Sequence, residues 1–232
     1  MMIHESLETP IQGYYDAVVV GAWPAGCGAA IALGRSGMKT LILDRYNCLG
    51  GAWTTGFMNP LFDFKNKTGI VGELVSELKE RNQFGGFGNM SFNYEYMKRI
   101  LERKMQEANV EVLYNTTYSR TLVEQKRVYG IIAENISGRF AVMAKMIVDC
   151  TGDGNVAANA GCSFELGENG DYTACQAMTL MFLVGNIPEK YRNGLMLYEK
   201  LGAAYEKAGK QIPFKVPYLI PVPHSHFGVV QF

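Results

Sequence analysis

A glycine-rich turn near the start of the chain carries the most chemical information. Gly21-Ala22-Trp23-Pro24-Ala25-Gly26 follows the apolar run Tyr15–Val20 and precedes a small-residue stretch, Cys27–Ser36. The valine-dominated run reads as a strand buried on both faces, and the small-residue stretch, closed by Gly37, as a capped helix. A strand that turns sharply into a helix points the free N–H groups of the first helical turn, and the positive end of the helix dipole, into the turn. Those donors suit a pyrophosphate. Gly21 permits the tight turn, and Gly26 lets the helix approach the sheet. Lys39–Leu43 reads as a second buried strand ending in Asp44. A carboxylate about twenty residues beyond the turn accepts from ribose hydroxyls and disfavours a 2′-phosphate. The expected chemistry is dinucleotide binding on a βαβ unit with a parallel sheet and a right-handed crossover.

One position departs from this pattern. The middle residue of the turn is ordinarily a glycine, so that the pyrophosphate can approach the backbone, and here it is Trp23. Either the indole turns outward and leaves the donors free, or the site holds its ligand poorly. A second glycine-rich turn, Thr151-Gly152-Asp153-Gly154, follows the apolar segment Met146–Cys150. There Asp153 reads as a helix N-cap, alone or with a cofactor contact added.

Four stretches, in order, resemble the FAD-dependent oxidoreductases of the glutathione-reductase-like superfamily, within them the family related to fumarate reductase flavoprotein subunits. They are Tyr15–Gly21, Leu43-Asp44-Arg45, Leu49–Gly56 and Ile147–Gly154, with Ala157–Gly161 also fitting. The resemblance runs from about Tyr15 to the end of the chain. It implies FAD as cofactor, with Gly21, Ala22, Trp23, Pro24, Ala25 and Gly26 around the pyrophosphate, Asp44 on the adenosine ribose and Arg45 beside the adenine. It further implies that Gly50, Gly51 and Thr54 lie toward the flavin, that Tyr118 bonds adenine through its backbone, and that Thr151, Gly152 and Asp153 form a second cofactor loop. Members of this family are longer and carry a further C-terminal segment that completes the substrate domain. The resemblance therefore implies that this chain is an N-terminal part, its substrate domain completed by a partner chain or absent.

The elements that must position these residues follow from periodicity and turn signals. Residues 45–68 read as loop, Ile70–Arg81 and Tyr94–Ala108 as helices, and Val110–Tyr114 as a strand. Tyr118–Glu124, Arg127–Glu134 and Arg139–Ala144 alternate in polarity, as in an antiparallel meander, and Met146–Cys150 reads as a separate parallel strand. Beyond Gly161 come an acidic loop (Glu165–Asp171), an apolar segment (Met178–Val184) whose Met and aromatic residues read as core, and a helix over about Glu189–Gly209. Strands at Tyr218–Val222 and Phe227–Phe232 follow, the last an unfinished edge that invites pairing. The expected fold is α/β: a Rossmann-like FAD-binding domain over 1–161, with a parallel sheet and a small antiparallel meander, then an incomplete α+β substrate domain over 162–232.

Composition limits the alternatives. The 232 residues are 48% hydrophobic, enough to bury a core, and 22 basic residues balance 22 acidic ones. No overall basic field draws the chain to nucleic acid or a membrane surface. The five cysteines form no C-x-x-C pair and no zinc spacing, which reads as reduced thiols in a cytoplasmic protein. Cys27 and Cys150 read as packing residues. His224 and His226, two apart, would leave one face of a strand together, but no third ligand is evident, so no metal is expected. The reading is a flavoenzyme acting on a small organic substrate, with catalytic residues unknown. A non-catalytic or truncated remnant or subunit of the flavoprotein fold, with weak or no FAD binding, and a plain NAD-binding Rossmann protein are the alternatives; a homo-oligomer or a partner chain is compatible with the flavoenzyme reading.

Overall fold

The computed structural model describes residues 4, 6–175, 178–188, 194–210 and 218–231. The chain divides into two compact units, each discontinuous in sequence: Met1–Gly51 with Leu101–Glu165, and Ala52–Ile100 with Leu166–Phe232.

The first unit is built on a six-stranded sheet in the order β3-β2-β1-β6-β5-β4. Its strands are β1 (Ile11–Val20), β2 (Thr40–Leu43), β3 (Glu111–Leu113), β4 (Thr117–Glu124), β5 (Arg127–Asn135) and β6 (Gly138–Asp149). The strands β3, β2, β1 and β6 run parallel, and β5 and β4 continue the sheet antiparallel. Ala17, Val18, Val19 and Val20 are all buried to within 1% of completely. That is the condition expected of a central parallel strand covered on both faces. On one face Val18 and Val20 join Leu41, Leu43, Ile131, Phe140, Val142 and Val156 in a single apolar cluster. Helix α1 (Pro24–Arg35) fills the βαβ crossover between β1 and β2.

One strand is longer than the sequence pattern predicts. The meander's third strand and the following parallel strand are a single element, β6, of 12 residues. Its first half pairs antiparallel with β5, while almost its whole length runs parallel to β1, from Ala141 beside Ile11 to Asp149 beside Val20. The pattern changes near Ala144 because the neighbours change: residues 141–143 lie between β5 and β1 and Ala141 and Val142 are buried, whereas from Ala144 onward only β1 pairs with the strand and Met146 is exposed. No glycine or proline breaks the backbone there.

The second unit holds α2 (Gly69–Glu80), the start of α3 (Tyr94–Glu107), α5 (Gly194–Lys207) and a three-stranded antiparallel sheet in the order β7-β9-β8. These strands are β7 (Met181–Val184), β8 (Tyr218–Pro221) and β9 (Gly228–Gln231). The expected helix over Glu189–Gly209 begins at Gly194 among the described residues; 189–193 lie outside them, as does Phe232. Two expectations fail here. The last strand is not an open edge, since β9 is central and pairs with both β7 and β8. The segment Met178–Phe182 is not core: Met178 is 95% exposed, Leu180 66% and Phe182 38%. Sheet order accounts for the first, since β9 lies between β7 and β8; Met178 and Leu180 precede β7 and lie in no strand. His224 and His226 lie in the turn between β8 and β9, with His224 at φ 52°, so they do not share a strand face.

Candidate nucleotide site

The strand order of the first unit reverses at β1, with β2 on one side and β6 on the other. In open parallel sheets such a reversal leaves a crevice outside the carboxyl ends of the strands, where ligands bind. The cleft at that place has a volume of about 100 Å³ and is lined by Gly21, Trp23, Asp44, Arg45, Tyr118, Thr151 and Asp153, together with Thr116, Thr117 and Asn155. Seven of the residues singled out from sequence thus meet in one cleft, from four segments of the chain. Pockets that enclose drug-sized ligands run to roughly 300–1,000 Å³. This one is sized for part of a dinucleotide.

Asp44 is 5% exposed, and both its carboxylate oxygens are engaged. One accepts from the Ala22 N–H at 2.5 Å and the other from the Tyr46 N–H at 2.9 Å. The Asp44 backbone bridges to the next strand, its N–H donating to Leu113 and its C=O accepting from Thr116. Asp44 therefore braces the glycine turn against the end of β2. Arg45 is exposed and lies over the Tyr46 ring, 4.9 Å from its centroid. Tyr118 pairs with Ala133 on β5, and its hydroxyl contacts the Thr121 hydroxyl at 2.6 Å.

The remaining predicted residues are distributed around this cleft or away from it. Gly21 has φ 99°, and its N–H donates to Leu43 at 2.9 Å. Ala22 and Gly26 are buried; Gly26 packs so tightly that a Cβ on it would fall 1.9 Å from the Gly21 oxygen. Pro24 and Ala25 begin α1, whose first turn has no side-chain cap and no acidic residue. The Ala25 and Gly26 N–H groups precede the first intrahelical bonds and suit an anion. Gly50 donates to the Ala22 oxygen at 2.8 Å. Thr54 is wholly buried and belongs to the second unit.

The indole of Trp23 lines the cleft and occupies the ground between two glycine loops. A Cβ placed on Gly51 would come within 2.7 Å of Trp23 Cγ, and one on Gly152 would stand 3.9 Å from its Cε2. The absent side chain of Gly51, which the resemblance assigns to cofactor approach, makes room here for tryptophan. The polar groups that line the cleft suit an adenosine, and the indole forms part of its wall.

The second glycine turn is organised by a residue that sequence reasoning passed over. Asp149 accepts from the Thr151 N–H at 3.0 Å, the Thr151 hydroxyl at 2.7 Å and the Ala157 N–H at 2.9 Å. The Thr151 hydroxyl in turn accepts from the Asn155 N–H at the start of α4 (Asn155–Asn159). Asp153 does not cap this helix: Gly154 occupies the N-cap position, and no side-chain cap bond is made. Asp153 is left exposed at the cleft. The available signal for Asp149 was its position at the carboxyl end of a parallel strand, whereas Thr116 and Thr117 lie at the start of the antiparallel β4.

Burial pushes the Asp149 carboxyl up, but the Ala157 and Thr151 N–H groups, the Thr151 hydroxyl and the Val156 N–H outweigh it, holding the group below the ordinary carboxylate value. A depressed folded-state value contributes stability above the unfolded value of about 3.9, and this is lost as pH falls through the folded one. The expected stability gap between wild type and Asp149→Asn is about 1–2 kcal/mol at pH 6, the size of a lost cap. It closes below about pH 4. Urea unfolding of both proteins from pH 7 to pH 3 measures it, and a gap that stays constant would deny Asp149 this role. Cys27 behaves oppositely: burial pushes its thiol up to about 12, which makes it a packing residue rather than a nucleophile.

The chain matches the family model described as FAD dependent oxidoreductase over residues 16–224. A thiamine thiazole synthase of Aeropyrum pernix is 33% identical over 119 residues, covering 50% of this chain and 43% of that protein. The thiamine thiazole synthase of Saccharolobus solfataricus is 28% identical over 149 residues, covering 59% and 54%. The chain thus spans about half the length of these curated relatives. Among solved structures, the flavin-dependent brominase Bmp2 superposes with a TM-score of 0.60 at 12% identity, over 94% of this chain and 55% of that one. The geranylgeranyl bacteriochlorophyll reductase-like protein of Thermoplasma acidophilum gives 0.59 at 16%, over 95% and 56%. Both share the fold. The likeness is to the broad flavoprotein group rather than specifically to fumarate reductase flavoprotein subunits.

Proposed function

Since the chain belongs to the FAD dependent oxidoreductase family, we propose that its cleft holds the adenosine end of FAD in an oxidoreductase acting on a small organic substrate. The observation that carries this reading is the meeting of Gly21, Asp44, Arg45, Tyr118, Thr151 and Asp153 at the strand-order reversal. Asp44 and Tyr118 are assigned to the ribose and adenine end, Arg45 to the adenine rim, and the uncapped first turn of α1, with Ala25 and Gly26, to the phosphates. Thr151, Gly152 and Asp153 are assigned to the second cofactor loop. Gly50, Gly51 and Thr54 are assigned to the flavin side, and residues 162–232 to the substrate domain.

FAD, when bound, supplies the two-electron chemistry. The chain's own residues bind and orient it. The buried Asp44 carboxylate holds the glycine turn ahead of α1 in shape. No residue is assigned as a catalytic acid or base. Among the described residues, no helix is long and apolar enough to cross a membrane.

Titration of the purified chain with FAD, followed by absorbance and flavin fluorescence, tests the reading. Saturable binding with perturbed flavin bands is expected. A second reading, a flavoprotein fold that has lost its flavin, draws on the seat of Trp23 against Gly51. A chain that leaves the flavin spectrum unchanged at any concentration would favour that reading and reject the first.

A further inference from the structure

We infer that Trp23 sorts the ligands of this cleft by what lies beyond the adenosine: an adenosine with one or two phosphates enters with the indole in place, whereas a complete dinucleotide enters only when the indole is displaced. This rests on the nucleotide reading of the cleft given above.

Adenosine is assigned to one part of the cleft wall, and the indole forms another. Asp44, Arg45 and Tyr118 line the first, at the exits of β2 and the start of β4. The second is the indole itself, which lines the cleft while seated on Gly51 and reaching toward Gly152. A dinucleotide running from Asp44 toward the Gly50-Gly51 loop has to cross the ground the indole covers. Gly51 supports this seat in a specific way, since any Cβ there would lie 2.7 Å from Trp23 Cγ. The indole therefore has a fitted place, and leaving it forfeits those contacts.

The backbone donors remain in either case. Trp23 is the N-cap residue of α1 with extended backbone (φ −71°, ψ 174°), and no side chain caps the helix. A terminal phosphate can approach the Ala25 and Gly26 N–H groups without any further group extending past them. The cost of moving the indole falls only on ligands that continue beyond the phosphates, and the tryptophan becomes a specificity-determining residue for ligand length.

Calorimetric titration of the whole chain with ADP and with FAD, repeated on Trp23→Gly and Trp23→Ala, tests this. Glycine is well accepted at an N-cap, so the first variant keeps the helix start. The readout is the ratio of the two dissociation constants, FAD over ADP. Removing the indole is expected to lower that ratio tenfold or more, with ADP affinity changing less than threefold. A smaller fall, or an equal gain for both ligands, overturns the role of Trp23 while leaving the FAD reading intact. In wild type, ADP is expected to bind at least as tightly as FAD, and tenfold tighter FAD binding overturns the inference without either variant. Failure of both ligands to bind any of the three proteins would overturn the nucleotide reading as well.

Discussion

Gly21→Ala is expected to destabilise the chain by about 2–6 kcal/mol, a large part of the 5–15 kcal/mol that holds a typical domain. Two effects add. Gly21 sits at φ 99°, where an L-residue is strained by about 1–3 kcal/mol. Its Cβ would then fall 2.2 Å from the Cys150 oxygen, 2.6 Å from the Cys150 carbonyl carbon and 2.9 Å from the Thr151 nitrogen. All three are backbone atoms, so no side-chain rotation relieves the contact. The strands β1 and β6 would have to part where Cys150 N–H donates to Val20 at 2.8 Å, at an overpacking cost of about 1–3 kcal/mol. Gly37→Ala is the matched control: φ is 83°, but nothing lies within 4 Å of the added Cβ, so only the strain remains. Urea unfolding of both variants separates the effects. Equal losses would mean that β1 and β6 do not meet as described.

Asp44→Ala is expected to cost about 2–4 kcal/mol, because it removes the acceptor of two backbone N–H groups at once. The Ala22 N–H is buried, so its share is the larger one. Tyr46 is exposed, and water replaces part of what its N–H loses. Asp44→Asn keeps one acceptor oxygen but turns an amide donor toward the other N–H, so an intermediate loss is expected. Thermal and urea unfolding measure these changes, with ADP titration in parallel. A carboxylate that served only a ribose would leave the unbound protein's stability untouched, and a loss below about 0.5 kcal/mol would favour that simpler role.

The origin of the site was legible because its signals are local. Valine runs that must be covered on both faces, a glycine that must turn and another that must let a helix close on a sheet are requirements of neighbouring residues. They located β1, α1, β2 and Asp44 before any contact was known. The same locality explains the failures. Met178–Phe182 is as apolar as a core segment, yet Met178 and Leu180 lie ahead of β7 and are exposed, and composition does not distinguish that from a buried strand. Ala52–Ile100 groups with Leu166–Phe232, a pairing of segments more than sixty residues apart in the chain that no periodicity announces.

The roles of the two acidic residues near the second turn divide in the same way. Asp153 stands in the motif and Asp149 at the end of a strand, and the register of β6 against β1 gives the bracing role to Asp149. Local residue types were enough to specify an early βαβ unit, a glycine turn that meets a helix start, and an acid that closes the second strand. Those are consequences of side-chain volume, backbone freedom and burial within a few residues. Folding adds that Asp44 braces Ala22, that Asp149 holds the second turn, and that the Trp23 indole settles in the space left by Gly51. Each joins segments distant along the chain, and a contact of that kind has no counterpart in the order of residues until the sheet brings its strands together.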